Sequence, residues 1–451
     1  MNTMSLVRRI AWLDGLSTAA VLAGALSLWP TPDALANPWT LAARLGVIVI
    51  AALVAFYYND LYDFETSHAL GHVFTRLARA LGMTAVALAA AYVAFPGLGV
   101  GGQAASYALL LALGAVIAVR ASVYTLAKRE PFAERVVIMG RSALAVDLAE
   151  QIQTRADLAM TLVGFVGDPA VAPQTGPHLG GYEEIGDVVR RHRPDRIVVA
   201  MPDRRGNLPV ADLLTCRFRG VAIEDGSTAF ERLTRRLPVE SLTPSALIFG
   251  GGFRISRTQV LLQRLLSGAV AALGLVCAIP FVAIVAALIK LESPGPVLFI
   301  QERIGRGGRP FRLIKFRTMR PEEPARDGVW ARDNASRVTR CGAFLRKYRF
   351  DEIPQFVNIL RGEMSLVGPR PEMASNVVTF SAVIPFYNLR HEVRPGLTGW
   401  AQVRAGYSMS TEEVTRKLCY DLYYVKHMSV AFDLRIIFDT VKFVLSGKRP
   451  G

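Results

Sequence analysis

The sequence predicts a membrane α plus α/β protein: a four-helix transmembrane bundle, a Rossmann-like cytosolic module, and a mostly α C-terminal domain with a re-entrant membrane helix-break-helix. Three observations carry this. The first third of the 451 residues holds four apolar runs, and the whole chain is 51% hydrophobic with mean hydropathy +0.30. From Glu134 onward a strand–glycine–helix pattern takes over. Further on, the almost uncharged run Gly268–Ile289 is split by Pro280 and followed by text dense in Gly, Pro and Arg. A chain of this length holds two or three domains, drawn here as 1–130, 131–250 and 251–451.

The four apolar segments are Ile10–Trp29, Trp39–Tyr58, Leu81–Phe95 and Ala104–Val119. A spanning helix needs about 20 apolar residues, which the last two reach with their flanks. Pro30–Pro38 and Pro96–Gln103 carry no Lys or Arg, whereas Arg8, Arg9, Arg76, Arg79, Lys128 and Arg129 all fall on the opposite side. Arg44 is the exception, close enough to its segment's start to snorkel outward. The positive-inside rule then places the N-terminus inside, with four crossings, and everything after Lys128 in the cytoplasm. Tyr57, Tyr58 and Tyr62 stand where an interfacial aromatic belt is expected. No cleavable signal peptide is evident, because the first run lacks a small-residue cleavage site.

Net charge is +15 and the isoelectric point about 10.0, a balance that fits nucleic acid, an anionic membrane face or phosphorylated substrates. The basic residues are interleaved with Gly/Pro turns beside a bilayer segment, and no aromatic-basic module is recognisable, so nucleic acid is not expected as a partner. Cys216, Cys277, Cys341 and Cys419 lie far apart without metal-ligand spacing and read as reduced thiols.

In the middle domain Arg135–Met139 reads as a buried strand ending at Gly140, with Ala143–Thr154 as the helix behind it. Leu162–Val166 and Arg196–Met201 read as further strands of a parallel sheet. The Gly140–Ala145 turn occupies the place of a GxGxxG fingerprint but keeps only the first glycine, so either a nucleotide-binding or a purely structural module is compatible with it. Pro244–Arg257 reads as the linker out of the domain.

Taken as a spanning helix, Gly268–Ile289 would put the basic C-terminal region outside the cell. A hairpin that enters one leaflet, breaks at Pro280 and leaves on the same side avoids this. Arg257, Arg264 and Lys290 would anchor its two ends at one interface.

The chemistry-bearing text follows. It includes Glu292–Pro296, Gln301–Arg306, Lys315–Met319, Arg346–Gln355, Gly362–Pro371 and Arg394–Trp400. Arg and Lys placed on rigid Gly/Pro turns can clamp phosphate oxygens in a set geometry. Within it, Asp351 and Glu352 are adjacent carboxylates in a basic neighbourhood. By itself such a pair is a solvated helix cap as readily as a nucleophile with an acid/base partner.

Together and in this order, these motifs resemble the catalytic domain of the bacterial polyprenyl-phosphate sugar-phosphate transferases, the monotopic phosphoglycosyl transferases. The resemblance spans the last ~190 residues, and the helices plus a degenerate Rossmann-like module resemble the long-form members. It implies transfer of sugar-1-phosphate from a UDP-sugar, glucose or galactose by expectation, to undecaprenyl phosphate. UMP would be released through a phosphosugar-aspartyl intermediate, with Mg²⁺ as cofactor. It implies the bacterial inner membrane, with both globular domains on the cytoplasmic side and membrane lipid as a neighbour; the Rossmann-like module, a soluble surface beside a membrane anchor, is compatible with a homodimer. Carried onto this chain, it makes Asp351 the nucleophile and Glu352 its acid/base or metal-proximal partner, the two being the metal ligands. Lys315, Arg317, Arg346 and Arg370 fall on the phosphate side, and Gln355 and Asn358 orient dyad or substrate.

Departures from the family pattern are Ser267 where an Asp is common, Ile279 before Pro280 where a Ser is common, and Glu363 in place of Asp. Tyr420–Lys426 and Phe432–Leu445 read as helices of the core or membrane face, and the Trp400 turn either shapes a sugar pocket or simply packs. Two other classes compete with this one. A nucleotide-sugar dehydratase needs an intact glycine loop with Tyr-x-x-x-Lys downstream, and here Tyr124 and Lys128 lie upstream of a degraded loop. A non-catalytic membrane scaffold would explain Ser267 and Ile279 but not an intact dyad.

Overall fold

The computed structural model describes residues 38–59, 76, 79–80, 82–88, 91, 93, 95 and 133–446, the last range without 156–157, 159, 169–175, 202–203, 205–206, 254–255, 321–336 and 406–409. The first and fourth expected membrane segments, most of the loops that set their polarity, and Tyr62 lie outside the described residues, as do Tyr124 and Lys128. The chain divides into two compact units, Met1–Ala229 and Phe230–Gly451.

In the first unit, helix α1 (Pro38–Tyr58, 21 residues) coincides with the second expected segment. At 1.5 Å per residue its length is about 31 Å, the thickness of a bilayer's hydrocarbon core. The Rossmann-like module follows as β1 (Glu134–Met139), α2 (Ala143–Thr154), β2 (Met160–Val166), β3 (His178–Gly180), α3 (Ile185–His192), β4 (Arg196–Val199), α4 (Val210–Phe218), β5 (Ala222–Asp225) and α5 (Gly226–Thr234). The five strands form one sheet in the order β3-β2-β1-β4-β5, and every pairing is parallel. Val136 to Met139 have no exposed surface, which is why that stretch of β1 is continuously apolar rather than alternating.

Gly140 turns the chain from β1 into α2 at φ +109°, where a Cβ would sit 2.7 Å from the Ala200 backbone. The first glycine of the fingerprint is therefore explained by close packing alone. Ser142 caps α2 by accepting from the Ala145 N–H at 3.2 Å, and its hydroxyl donates to the Ala200 carbonyl at 2.7 Å. That diversion ends β4 at Val199, two residues earlier than the expected Arg196–Met201. Strands β3 and β5, of three and four residues, were too short to read from the sequence.

The second unit begins about twenty residues before the expected boundary at 250. Leu237 and Val239 pack with Phe380, Tyr387 and Leu418, and the Leu237 N–H donates to the Cys419 carbonyl at 3.0 Å. The anticipated linker itself contains helix α6 (Pro244–Phe249).

Helix α7 runs as one 36-residue element, Arg257–Glu292, with Pro280 inside it. The expected break over 268–289 is thus absent: Pro280 does not divide the segment into two helices. A proline deletes one N–H and crowds the carbonyl four residues back, but here packing supports both halves. Ala271 lies in the core around Trp400, a Cβ on Gly274 would touch the Phe356 ring at 2.7 Å, and Val285 and Ile289 pack with Phe316 and Leu345. The outward face carries Leu261, Leu262, Leu265, Leu273, Val276, Ile279, Ile284 and Leu288, all exposed. The buried face includes Gln263 and Ser267. This polarity is the reverse of a water-facing surface helix, and α7 is long and apolar enough to cross a membrane.

After α7 come the antiparallel hairpin β6 (Leu298–Ile304) and β7 (Pro310–Phe316), α8 (Arg340–Lys347), a 3₁₀ turn at Phe350–Glu352, and α9 (Gln355–Leu360). Then β8 (Ser365–Val367), α10 (Ala374–Val383), β9 (Gly396–Thr398), α11 (Trp400–Arg404), α12 (Thr411–His427) and α13 (Val430–Ser446) complete the unit. Strands β8 and β9 pair in parallel. The C-terminal helices α12 and α13 extend each expected helix, and Leu418, Leu422, Tyr424, Val425 and Ile436 bury their inner faces.

Candidate active site

The dyad sits where two elements meet at a strained corner. Helix α8 ends at Lys347, and Arg349 adopts a left-handed conformation at φ +60°, which sends the chain into the 3₁₀ turn bearing Asp351 and Glu352. A non-glycine residue in that region costs on the order of 1 kcal/mol. Phe350 secures the turn from below, its ring 4.9 Å from Phe281 of α7. Both carboxylates are buried, at 9% and 8% exposure, so neither is a solvated cap.

Their surroundings differ. Glu352 Oε1 accepts from Arg370 Nη2 at 3.0 Å and lies 3.8 Å from Arg349 Nη1. Burial would raise its pKa, but Arg370, Arg349 and Lys315 outweigh burial and hold it below the usual carboxylate value. Asp351 is pushed up, first by burial and then by the charge on Glu352, with Lys315, Arg349 and Arg346 opposing. Its Oδ1 is buried and makes no hydrogen bond. Two adjacent carboxylates driven in opposite directions mark distinct roles: a fixed, ionised anchor and a carboxylate with an oxygen left available.

Cations converge on the pair from the hairpin and from the Pro369-Arg370-Pro371 loop. Strand register puts Phe299 opposite Lys315 and Arg303 opposite Phe311, so Arg303 and Lys315 share a face. Lys315 lies 5.5 Å from the centroid of Phe299, and burial followed by repulsion from Arg370 and Arg303 lowers its pKa to about 8. Arg303 in turn is held by Gln301 Oε1 at 2.8 Å and Glu372 Oε1 at 3.3 Å. Lys315, Arg303, Arg346, Arg349 and Arg370 outnumber Asp351, Glu352 and Glu372, an excess of positive charge that suits a diphosphate.

The other expected residues divide. Arg346 donates through Nε to Thr318 Oγ1 at 2.8 Å and contributes charge toward Asp351. Gln355 is buried at the first position of α9, directly behind the dyad. Arg317 is not on the phosphate side. Its guanidinium is buried against the end of α7, donating to the carbonyls of Pro294 and Ser293 at 2.8 Å each and to Ser293 Oγ at 3.0 Å. It satisfies main-chain acceptors a helix end leaves free. Asn358 is likewise a framework residue. Fully buried, it accepts from the Ile314 N–H at 3.1 Å and donates to the Arg312 carbonyl at 2.7 Å and Glu363 Oε2 at 2.6 Å, tying α9 to β7.

Trp400 is 1% exposed and donates to the Arg235 carbonyl at 3.0 Å, so it packs and shapes no pocket wall. Ser267, where an acid was expected, uses its hydroxyl to accept from the Leu366 N–H at 3.1 Å, joining α7 to β8. Arg303, Arg349 and Glu372 were missed. The alternation Phe299-Gln301-Arg303 against Phe311-Leu313-Lys315 was the available signal for the first of them.

No group of three or more His, Cys, Asp or Glu suited to a metal is present among the described residues. A Mg²⁺ ion, however, is commonly held by one or two carboxylates plus substrate phosphates, and the free Oδ1 of Asp351 beside Glu352 fits that mode.

An expected consequence concerns pH. Lys315 is charged below about pH 8 and neutral above it, so kcat/KM for an anionic substrate should fall as pH rises through 8. Lys315→Arg should move that limb upward by more than one pH unit. For folding the sign is reversed: between about pH 8 and 10 the unfolded chain holds the extra proton, and the burial penalty is relieved as pH rises.

A buried carboxylate pair ringed by Arg and Lys, in the unit that contains the apolar helix α7, has the charge to hold phosphate groups. The chain belongs to the bacterial sugar transferase family, whose description matches residues 258–447; a CoA-binding domain matches residues 58–208. It is 40% identical over 316 residues to the UDP-glucose:undecaprenyl-phosphate glucose-1-phosphate transferase of Klebsiella pneumoniae, covering 68% of this chain and 67% of that one. A Caulobacter vibrioides protein of the same description is 44% identical over 186 residues, 41% of this chain and 70% of the relative. The Aeromonas hydrophila UDP-N-acetylgalactosamine-undecaprenyl-phosphate N-acetylgalactosaminephosphotransferase is 40% identical over 235 residues, 52% and 55% of the two chains. The chain spans 55%, 66% and 59% of the length of the first three curated relatives it matches.

Proposed function

We propose that this protein transfers sugar-1-phosphate from a UDP-sugar to undecaprenyl phosphate, releasing UMP, as the first membrane step in building an exopolysaccharide, O-antigen or capsule. The observation that carries the reading is the buried, unpaired Oδ1 of Asp351 amid Lys315, Arg346, Arg349 and Arg370. An oxygen buried without a partner is costly unless a reaction or ligand uses it. Relatives named for glucose-1-phosphate transfer support glucose as the first sugar to test.

In the proposed sequence Asp351 Oδ1 attacks the sugar-bearing phosphorus. The new O–P bond forms as the bond from that phosphorus to the bridging oxygen breaks, and the electron pair leaves with UMP. The phosphate oxygen of undecaprenyl phosphate then attacks the same phosphorus and returns the Asp351 carboxylate. Splitting one exchange between a soluble and a lipid substrate into two lets a single site serve both. Arg370 and Lys315 bind the diphosphate, and Glu352 keeps Arg370 aimed at it. Bound Mg²⁺, held by Asp351 and Glu352, would supply charge neutralisation of the phosphates.

The membrane part of the proposal has four N-terminal crossings in a bacterial inner membrane. Helix α7 would bend at Pro280 without dividing into two helices, and so lie in one leaflet with both ends on the cytoplasmic side. The packing of both α7 halves on the same globular unit supports this arrangement. A homodimer is compatible with the reading.

Purified protein in nanodiscs containing undecaprenyl phosphate should release UMP from at least one of a panel of UDP-sugars. Inertness toward every one of them refutes the transferase reading. Single cysteines placed after Lys290 should react only with a membrane-permeant reagent; labelling from outside intact cells would refute the one-leaflet topology.

A further inference from the structure

We infer that Asp421 and Arg390, outside the phosphate-binding ring, form a positioning pair that sets Arg370 through its main chain. The inference rests on the transferase reading above and extends it to residues that touch no substrate.

The geometry is a buried relay. Asp421 on α12 is 2% exposed, and its Oδ2 lies 2.7 Å from Arg390 Nη2. The same Nη2 donates to the Arg370 carbonyl at 3.0 Å, and Nη1 donates to the Tyr387 hydroxyl at 2.9 Å. Arg390 also stacks over the Tyr387 ring, 5.3 Å from its centroid. Arg370 stands between two prolines, so its backbone has few alternative conformations. Its other side is fixed by the Gly396 N–H donating to the Pro369 carbonyl at 2.9 Å and the Gly368 N–H donating to the Thr398 carbonyl at 2.9 Å. The Arg390 contact reaches the Arg370 carbonyl itself. From there the Arg370 side chain extends to Glu352 Oε1 at 3.0 Å.

A buried ion pair is weak evidence for stability, because desolvation offsets much of its attraction. Its location is more telling. A guanidinium whose donors are divided among a carboxylate, a phenol and one specific carbonyl fixes that carbonyl in three dimensions. Lysine, with a compact ammonium, lacks the planar fork to serve all three partners. The relay thus connects helix α12 to the cation that pairs with Glu352. A displacement of about 1 Å at a catalytic group costs on the order of 10²-fold in rate.

The test is a double-mutant cycle with the full chain in nanodiscs: wild type, Asp421→Asn, Arg370→Lys and the double variant, with Arg390→Lys alongside. Each is measured for UMP release and, independently of turnover, for calorimetric UDP affinity. Asp421→Asn and Arg390→Lys should each lower kcat/KM by about 10²-fold. Adding Asp421→Asn to Arg370→Lys should lower it by less than about threefold more, because the relay acts only through Arg370. UDP affinity should show the same non-additivity. Losses that multiply in both readouts would overturn the inference, since a merely structural ion pair weakens the enzyme whatever residue stands at 370. If Asp421→Asn does not fold, Tyr387→Phe, which removes one hydroxyl, takes its place in the cycle, with a single loss of about fivefold. A wild type without turnover refutes the transferase reading alone, and the UDP cycle still decides the relay.

Discussion

Asp351→Asn should reduce UMP release by at least about 10⁴-fold while leaving the protein folded and its UDP affinity within a few-fold of wild type. The substitution keeps shape and volume and removes the negative charge that makes a carboxylate oxygen nucleophilic. Asp351 Oδ1 has no hydrogen-bond partner, so no hydrogen bond is lost at that atom. Removing the charge should even relieve strain, because burial and the neighbouring Glu352 carboxylate both disfavour an ionised Asp351. A thermal midpoint equal to or slightly above wild type is therefore expected alongside the lost activity. Isotopic label from the sugar phosphate should be trapped on wild-type protein in the absence of lipid acceptor and not on the Asn variant. Retained turnover in the variant would remove Asp351 from the nucleophile's role.

The contrast with Glu352 sharpens this expectation. Glu352→Gln removes the buried charge that the half-exposed Arg370 and Arg349 are arranged to meet, and with it the contact that aims Arg370. Its cost should fall on stability and substrate affinity together. The two carboxylates are adjacent in sequence and opposite in consequence, a difference set by partners that come from 18 residues downstream and from the β6–β7 hairpin.

How much of this was legible beforehand varies with the range of the interactions involved. That the dyad, Lys315 and Arg370 come together was legible because each sits in a short run of like chemistry. The β1–Gly140–α2 unit was readable because one continuous apolar run meets one glycine turn. Arg317 and Asn358 were misassigned for the same physical reason: a polar side chain beside a catalytic motif looks alike whether it faces substrate or main chain. Only the fold shows that Arg317 meets the carbonyls of residues 293–294 and Asn358 those of the neighbouring strand. Pro280 misled differently. Local propensity predicted a break, and packing along both halves of α7 overrode it. Ser267 could not be interpreted at all from sequence, because its partner, Leu366, lies 99 residues away.

Gly396→Ala should be the most damaging single-methyl change in the second unit. A Cβ at Gly396 would overlap the Gly368 N, lie 2.6 Å from the Gly368 O, and overlap the Thr398 O. All three atoms are backbone, so no side chain can swing aside. The reverse substitution site is equally closed: a Cβ on Gly368 would sit 2.9 Å from the Gly396 N and would overlap the Arg394 carbonyl. The chain approaches this closely because β8 and β9 must pair directly before the Pro369-Arg370-Pro371 loop. Relief requires separating the strands, which breaks the Gly368–Thr398 and Pro369–Gly396 hydrogen bonds. Overpacking against mobile side chains costs about 1–3 kcal/mol; against fixed backbone the upper end, about 3 kcal/mol, is the floor to expect. For a unit of this size that lowers the thermal midpoint by roughly 6–12 °C, readable by scanning fluorimetry of the detergent-solubilised protein. Any fraction that stays folded should carry Arg370 displaced from Glu352, so activity should fall further than the folded fraction does. Equal losses of fold and activity would show instead that the strand pair supports the unit without setting the site.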